Sequence, residues 1–243
     1  MIELIPAIDI IDGKCVRLTK GDYATQRVYN ENPADVAREF EQYGFSRLHV
    51  VDLDGARSGK VINHRVLEQI ASKTNLTIDF GGGIKTDEDL RIAFESGAAM
   101  VTLGSIAVNQ PERFLQWLEA HGSERIILGA DVREGRISIN GWSEESREEL
   151  LPFIDRHVKA GIHHVLCTEI SRDGMLQGPA TELYKEVMAA QPSLGLIASG
   201  GVSNMDDLRS LSAAGIPAVV FGKAIYEGRI RLDELANEFI HRS

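Results

Sequence analysis

Asp9, in AIDIIDGK (Ala7–Lys14), and Asp131, in GADVREGR (Gly129–Arg136), hold the same place in two similar stretches of a 243-residue chain. Each ends a short apolar, β-branched run, where a carboxylate at a strand end can serve as general acid or base. Two glycine-rich stretches repeat in the same way. FGGGIKTDEDLRIAFESGAAMVTLGS (Phe80–Ser105) aligns without a gap with ASGGVSNMDDLRSLSAAGIPAVVFGK (Ala198–Lys223). Gly82 pairs with Gly200, Leu90 with Leu208, Gly97 with Gly215 and Gly104 with Gly222, all at one offset. Glycines between a strand and a helix start suit a phosphate. The first helical N–H groups lack partners, the dipole is positive there, and a missing Cβ lets oxygens approach. A side chain at Gly82 or Gly201 should therefore obstruct binding. A lone pair of glycines could simply make a tight turn, and a lone Asp could cap one. Two such sets in register, with a symmetric acid pair between them, point to chemistry on a molecule phosphorylated at both ends.

The elements that would position these residues follow from periodicity. Strands are predicted near Glu3–Asp9, Leu48–Leu53, Leu76–Gly81, Met100–Gly104, Ile126–Val132, His164–Ile170, Leu194–Ser199 and Ala218–Gly222. Amphipathic helical patterns lie between them. Asn32-Pro33 and Thr86 are helix starts, Asn63 precedes another, and Gly97 sits where a helix should stop. GFSRLHVVDLD (Gly44–Asp54) also aligns with GIHHVLCTEIS (Gly161–Ser171), so each half supplies four strands in the same order. Eight β/α units at this length predict a closed (β/α)8 TIM barrel of two similar half-barrels, forming one domain over residues 1–243. Its approximate twofold axis would face Asp9 toward Asp131 across the mouth. Asp52 and Asp54 are weaker polar candidates, and His49 is either core or ligand. Trp142 lies in a long loop (Arg133–Glu145), as a lid that stacks on a flat ring or as an anchor.

Composition sets the bounds. The net charge of −10 argues against a nucleic-acid surface, while 43% hydrophobic residues suffice for a large core. The two cysteines, Cys15 and Cys167, have no metal-type spacing and fit a reducing cytosol. No apolar run is long enough to span a membrane, and the first residues suit a strand better than a signal peptide. A cytoplasmic protein acting on a small bisphosphorylated molecule is expected, as a monomer with no nucleic-acid or membrane partner.

PAIDIIDGKCVRL, HVVDLDGA, FGGGIKT, LGS, CTEISRDGMLQGP, ASGGVSNMDDL and FGKAIYEG, with GADV and a following Gly-Trp, resemble the isomerase family of histidine biosynthesis. Members of that family act on N′-((5′-phosphoribosyl)formimino)-5-aminoimidazole-4-carboxamide ribonucleotide (ProFAR). The resemblance covers nearly the whole chain and implies an Amadori rearrangement of an aminoaldose to an aminoketose, with no metal or other cofactor. It implies Asp9 as general base and Asp131 as general acid, with Thr168 assisting. Gly82, Gly83, Gly104 and Ser105 would hold one phosphate; Gly178, Gly200, Gly201, Gly222 and Lys223 would hold the other. Asp173 would help place the reacting ribose. Two positions depart from the pattern. Glu169 stands where many members carry Asp, and Asn140 stands where relatives that also isomerise phosphoribosylanthranilate carry Arg, so a single substrate is expected. The alternatives are the related cyclase subunit of imidazole glycerol phosphate synthase and a barrel that only binds a bisphosphate.

Overall fold

A computed structural model describes residues 2–241. Its strands are β1 (Glu3–Ile11), β2 (Lys14–Thr19), β3 (Asp22–Asn30), β4 (Arg47–Asp52), β5 (Thr77–Gly81), β6 (Met100–Leu103), β7 (Ile126–Arg133), β8 (Arg136–Ile139), β9 (Glu144–Glu149), β10 (His164–Glu169), β11 (Gly195–Ser199) and β12 (Ala218–Phe221). Parallel pairing runs from β1 through β4, β5, β6, β7, β10, β11 and β12, and returns from β12 to β1. The sheet is therefore closed, and helices fill the crossovers: a (β/α)8 barrel.

Two crossovers carry strands that periodicity did not indicate. β2 and β3 form an antiparallel extension of β1, and β8 and β9 extend β7 in the same way. The loop expected at Arg133–Glu145 is thus largely a hairpin. The alternating stretch of β8 is only four residues long and β9 is almost wholly charged, so neither stands out as a strand.

Alternation along each barrel strand decides what faces inward. In β1, Leu4, Ile8 and Ile10 pack against the helical layer, whereas Ile5 and Ala7 belong to a separate cluster inside the barrel. By the same parity Asp9 projects into the barrel mouth. In β7, Ile126, Leu128 and Ala130 face the helices and Ile127 faces in, which carries Gly129 and Asp131 inward. In β10, Val165 and Cys167 face out and Leu166 in, so Thr168 joins them.

The duplication extends to the helix starts. Thr86 accepts a hydrogen bond from Asp89 N, and Asp89 Oδ2 accepts one from Thr86 N, closing a capping box on helix Asp87–Glu95. In the second half Asn204 accepts from Asp207 N, and Asp207 accepts from Ser203 N, at the start of helix Met205–Ala213. Each such cap stabilises its helix by about 1 kcal/mol, and both fix the loop leaving a glycine-rich strand end. Asn63 precedes helix His64–Lys73, as expected. Its side chain caps no helix but donates to Asp52 and Asp54 and accepts from Gly13 N.

Candidate active site

Asp9, Asp131 and Asp173 open onto one cavity of about 220 Å³ at the C-terminal ends of the barrel strands. The register places Thr168 beside Asp131. Asp9 Oδ2 lies 2.9 Å from Arg17 Nη1, and both side chains are mostly covered. Burial raises the Asp9 carboxyl above its ordinary value, while the charges of Arg17 and His49 act to lower it. Burial also raises Asp131, against hydrogen bonds from Trp142 and Thr168 and the charge of His49. Asp173 is pushed up to about 6 by burial; Arg17 opposes this, and Asp9 and Asp131 add to it. The cavity thus holds three carboxyls that resist ionisation, with one guanidinium directly on Asp9.

The glycine-rich ends flank this centre. Gly82, Gly83, Gly104 and Ser105 line the main cavity. Gly200, Gly201, Gly222 and Lys223 line a smaller one that shares Arg17 and Asp173 with it. No side chain caps the short helices at Ser105–Asn109 and Lys223–Tyr226, so their first N–H groups can take an anion's oxygens. Lys223 Nζ donates to Thr19 Oγ1 and the Gly174 carbonyl. Gly178 lines neither cavity; it donates to the Gly201 carbonyl and accepts from Arg172, shaping the loop beneath.

The glycines are needed for a reason other than open access. A Cβ on Gly82 would lie 2.2 Å from the Asp52 carbonyl oxygen, and one on Gly201 would lie 2.3 Å from that of Gly178. With φ of +100° and +89°, both positions also disfavour any side chain. A side chain at either position would therefore press on neighbouring backbone, whatever it does to a ligand.

Trp142 lies over the cavity and its indole packs against Gly21. Asn140, Gly141 and Trp142 have φ of 55°, 64° and 67°, three left-handed residues in succession, which is strained for the two that carry side chains. The Asn140 N–H donates to Ser105 Oγ, and Lys85 Nζ donates to Asn140 Oδ1. The hairpin tip is therefore tied to the first glycine cluster.

Several residues take positions the sequence left unassigned. Arg17 lies within PAIDIIDGKCVRL yet carries no local signal of its role, because the β2 hairpin that returns it to the cavity was not foreseen. Lys85 could have been found from its place just after the triple glycine. His49 is both buried and a cavity-lining residue. Asp52, wholly buried, accepts from Gly55 N, Ile62 N and Asn63 N and is structural. Asp54 accepts from Asp12 N. Glu169 turns to Ser171 and lines neither cavity.

Closed eightfold β/α architecture, with an acid pair on the inner face and glycine-rich strand ends on either side, defines a (β/α)8 barrel with its candidate site at the C-terminal strand ends. Residues 3–231 match the model of the histidine biosynthesis protein family, and the chain belongs to that family. It is 65% identical over 240 residues to a Phocaeicola vulgatus protein named 1-(5-phosphoribosyl)-5-((5-phosphoribosylamino)methylideneamino) imidazole-4-carboxamide isomerase, covering 99% of this chain and 100% of that one. Proteins of the same name from Bacteroides thetaiotaomicron (64%, over 97% and 98% of the two chains) and Flavobacterium johnsoniae (56%, over 98% and 100%) are similar along their whole length.

Proposed function

We propose that this chain isomerises ProFAR, the aminoaldose on which the resembling family acts, to the corresponding aminoketose (PRFAR) in histidine biosynthesis. The observation that supports this most directly is the pair Asp9 and Asp131, turned into one cavity between two glycine clusters. In this reading Gly82, Gly83, Gly104 and Ser105 receive one phosphate, with Lys85 beside them. Gly200, Gly201, Gly222 and Lys223 receive the other, and Gly178 supports that loop. Asp131 gives its proton to the ribose ring oxygen, which opens the ring to a protonated Schiff base. Thr168 steadies its carboxylate. Asp9 removes the C2 proton, its ionised form held by Arg17, and the enolamine then ketonises. Trp142 covers the substrate's flat ring, and no metal or redox group takes part.

A second assignment of the acid has its own support. Asp173 is held near pH 6, close to the value of an effective acid at neutral pH, and borders both cavities. Replacing Asp9, Asp131 and Asp173 singly by Asn distinguishes the roles. Loss of the base or the acid lowers kcat by about 10²–10⁴-fold. Near-native turnover removes that residue from the mechanism.

Among the described residues no helix is long and apolar enough to cross a membrane. The proposed setting is the cytoplasm, with the protein acting as a monomeric single domain over residues 1–243 and binding no nucleic acid. The cyclase and pure-binder readings have no observation in their favour, since the relatives carry the isomerase name.

A further inference from the structure

The two halves match at the barrel mouth but not on the cavity floor below it. The floor is formed by Ala7, His49, Thr102, Gly129, Leu166 and Val220. Under the alignment of the halves, His49 corresponds to Leu166, Asp79 to Ile197 and Thr102 to Val220. One half therefore closes the floor with apolar side chains that pack together. The other closes it with a charged network.

That network is costly to bury. Asp79 is almost wholly covered; its carboxylate contacts His49 Nδ1, accepts from Thr102 Oγ1 at 3.3 Å and lies 3.4 Å from Arg47 Nε. Burial pushes Asp79 up, but His49 and Arg47 together with these hydrogen bonds bring it below the usual carboxylate value. Replacing buried ionic groups with apolar ones is often neutral or stabilising, and Leu166 and Ile197 show that this barrel accommodates such residues in the paired positions. Fold stability alone does not require the network. With Nδ1–H donated to Asp79, the tautomer is fixed and the Nε2 lone pair is left for a ligand. His49 also stands two residues beneath the mouth in strand register, beside Ala7.

We propose that His49 is a further catalytic residue, whose Nε2 meets the C2 hydroxyl of the reacting ribose from the floor and takes its proton as the enolamine becomes the ketone, and that Asp79 is the positioning residue that orients the ring. This rests on the isomerase reading above. The balance closes. Asp131 has given a proton to the ring oxygen and Asp9 has taken one from C2. On ketonisation the O–H bond at C2 breaks and its electron pair forms the C=O bond. The C1=C2 pair collects the proton held by Asp9, and Nε2 receives the hydroxyl proton. Transfer from His49 to the Asp131 carboxylate restores the starting state of all three groups.

His49→Asn separates this role from a structural one. The Asn amide can still donate to Asp79 from the position of Nδ1, but it places nothing at Nε2. With ProFAR as substrate, kcat should fall about 10²-fold, with KM within about threefold and cooperative unfolding retained. Near-native kcat in His49→Asn, or a raised KM with unchanged kcat, would overturn the proposal. A second measurement does not depend on turnover. The His49 imidazole ¹⁵N signals, assigned by their loss in His49→Asn, should shift when ribose 5-phosphate is added to wild type, and Asp79→Asn should weaken that response. Absence of any shift at saturation also overturns it. If wild type fails to turn over ProFAR, the isomerase reading fails by itself, and the nitrogen signals still decide whether His49 meets a ribose.

Discussion

Replacing Arg17 with Met keeps much of the side chain's length and removes the cation that lies 2.9 Å from Asp9. Two unit charges about 4 Å apart near a protein surface interact by about 4 kcal/mol. A guanidinium favours the ionised form of a neighbouring carboxylate, so the contact holds Asp9 down against its burial. Burial already raises this carboxyl, and removing Arg17 lets it rise further. A general base works in its ionised form, so kcat/KM climbs with pH through the base's pKa. The acid limb should therefore move to higher pH by about 1–3 units in Arg17→Met, and less in Arg17→Lys, which keeps the charge. The substrate's phosphates titrate near pH 6 as well, but identically for all three proteins, so the difference between limbs reports on the enzyme. Arg17 also borders the second glycine cluster, and a higher KM is expected with either role. The position of the limb discriminates, not its height. A uniform drop in kcat/KM at every pH, with the limb unmoved, would refute control of Asp9 by Arg17.

Other perturbations test the supporting parts. Gly82→Ala and Gly201→Ala drive a Cβ against a backbone carbonyl at positive φ. Strain and overpacking together should cost about 2–5 kcal/mol, lowering Tm by roughly 5–15 °C. Gly104→Ala, where the nearest atom is 3.5 Å away and φ is negative, should leave Tm nearly unchanged, and equal Tm values for all three would contradict the packing argument. Trp142 should report on ligand, because phosphate at the first cluster competes with Asn140 for Ser105 and Lys85. Trp117 is buried and donates to Asp87, so fluorescence of Trp117→Phe isolates Trp142. No change at saturating substrate would make Trp142 a fixed anchor.

The barrel was legible because its strands are apolar on both faces and its two halves repeat in order. Asp9 and Asp131 were placed by their equivalent strand-end positions in the two halves, and Thr168 by the family resemblance. The hairpins were not legible. β3 and β9 are mostly exposed and carry no buried stripe, so no apolar periodicity separates them from loops. Arg17 was missed with them, since its approach to Asp9 depends on the antiparallel return of β2. His49 stayed ambiguous for a different reason. A strand residue one layer below the mouth can be core or ligand, and only its contact with Asp79 and its place in the cavity show that it is both buried and open to the cavity. The glycine-rich strand ends do lie at the barrel mouth, but spacing cannot tell whether a missing Cβ makes room for a ligand or for a neighbouring carbonyl.

The most direct test of the central claim is turnover of ProFAR by the purified wild-type chain, with Asp9→Asn beside it and a chelator present throughout. The account predicts conversion to the aminoketose PRFAR, unaffected by the chelator, and a kcat about 10²–10⁴-fold lower in Asp9→Asn. No conversion by a folded wild-type protein, or equal conversion by both proteins, would contradict it.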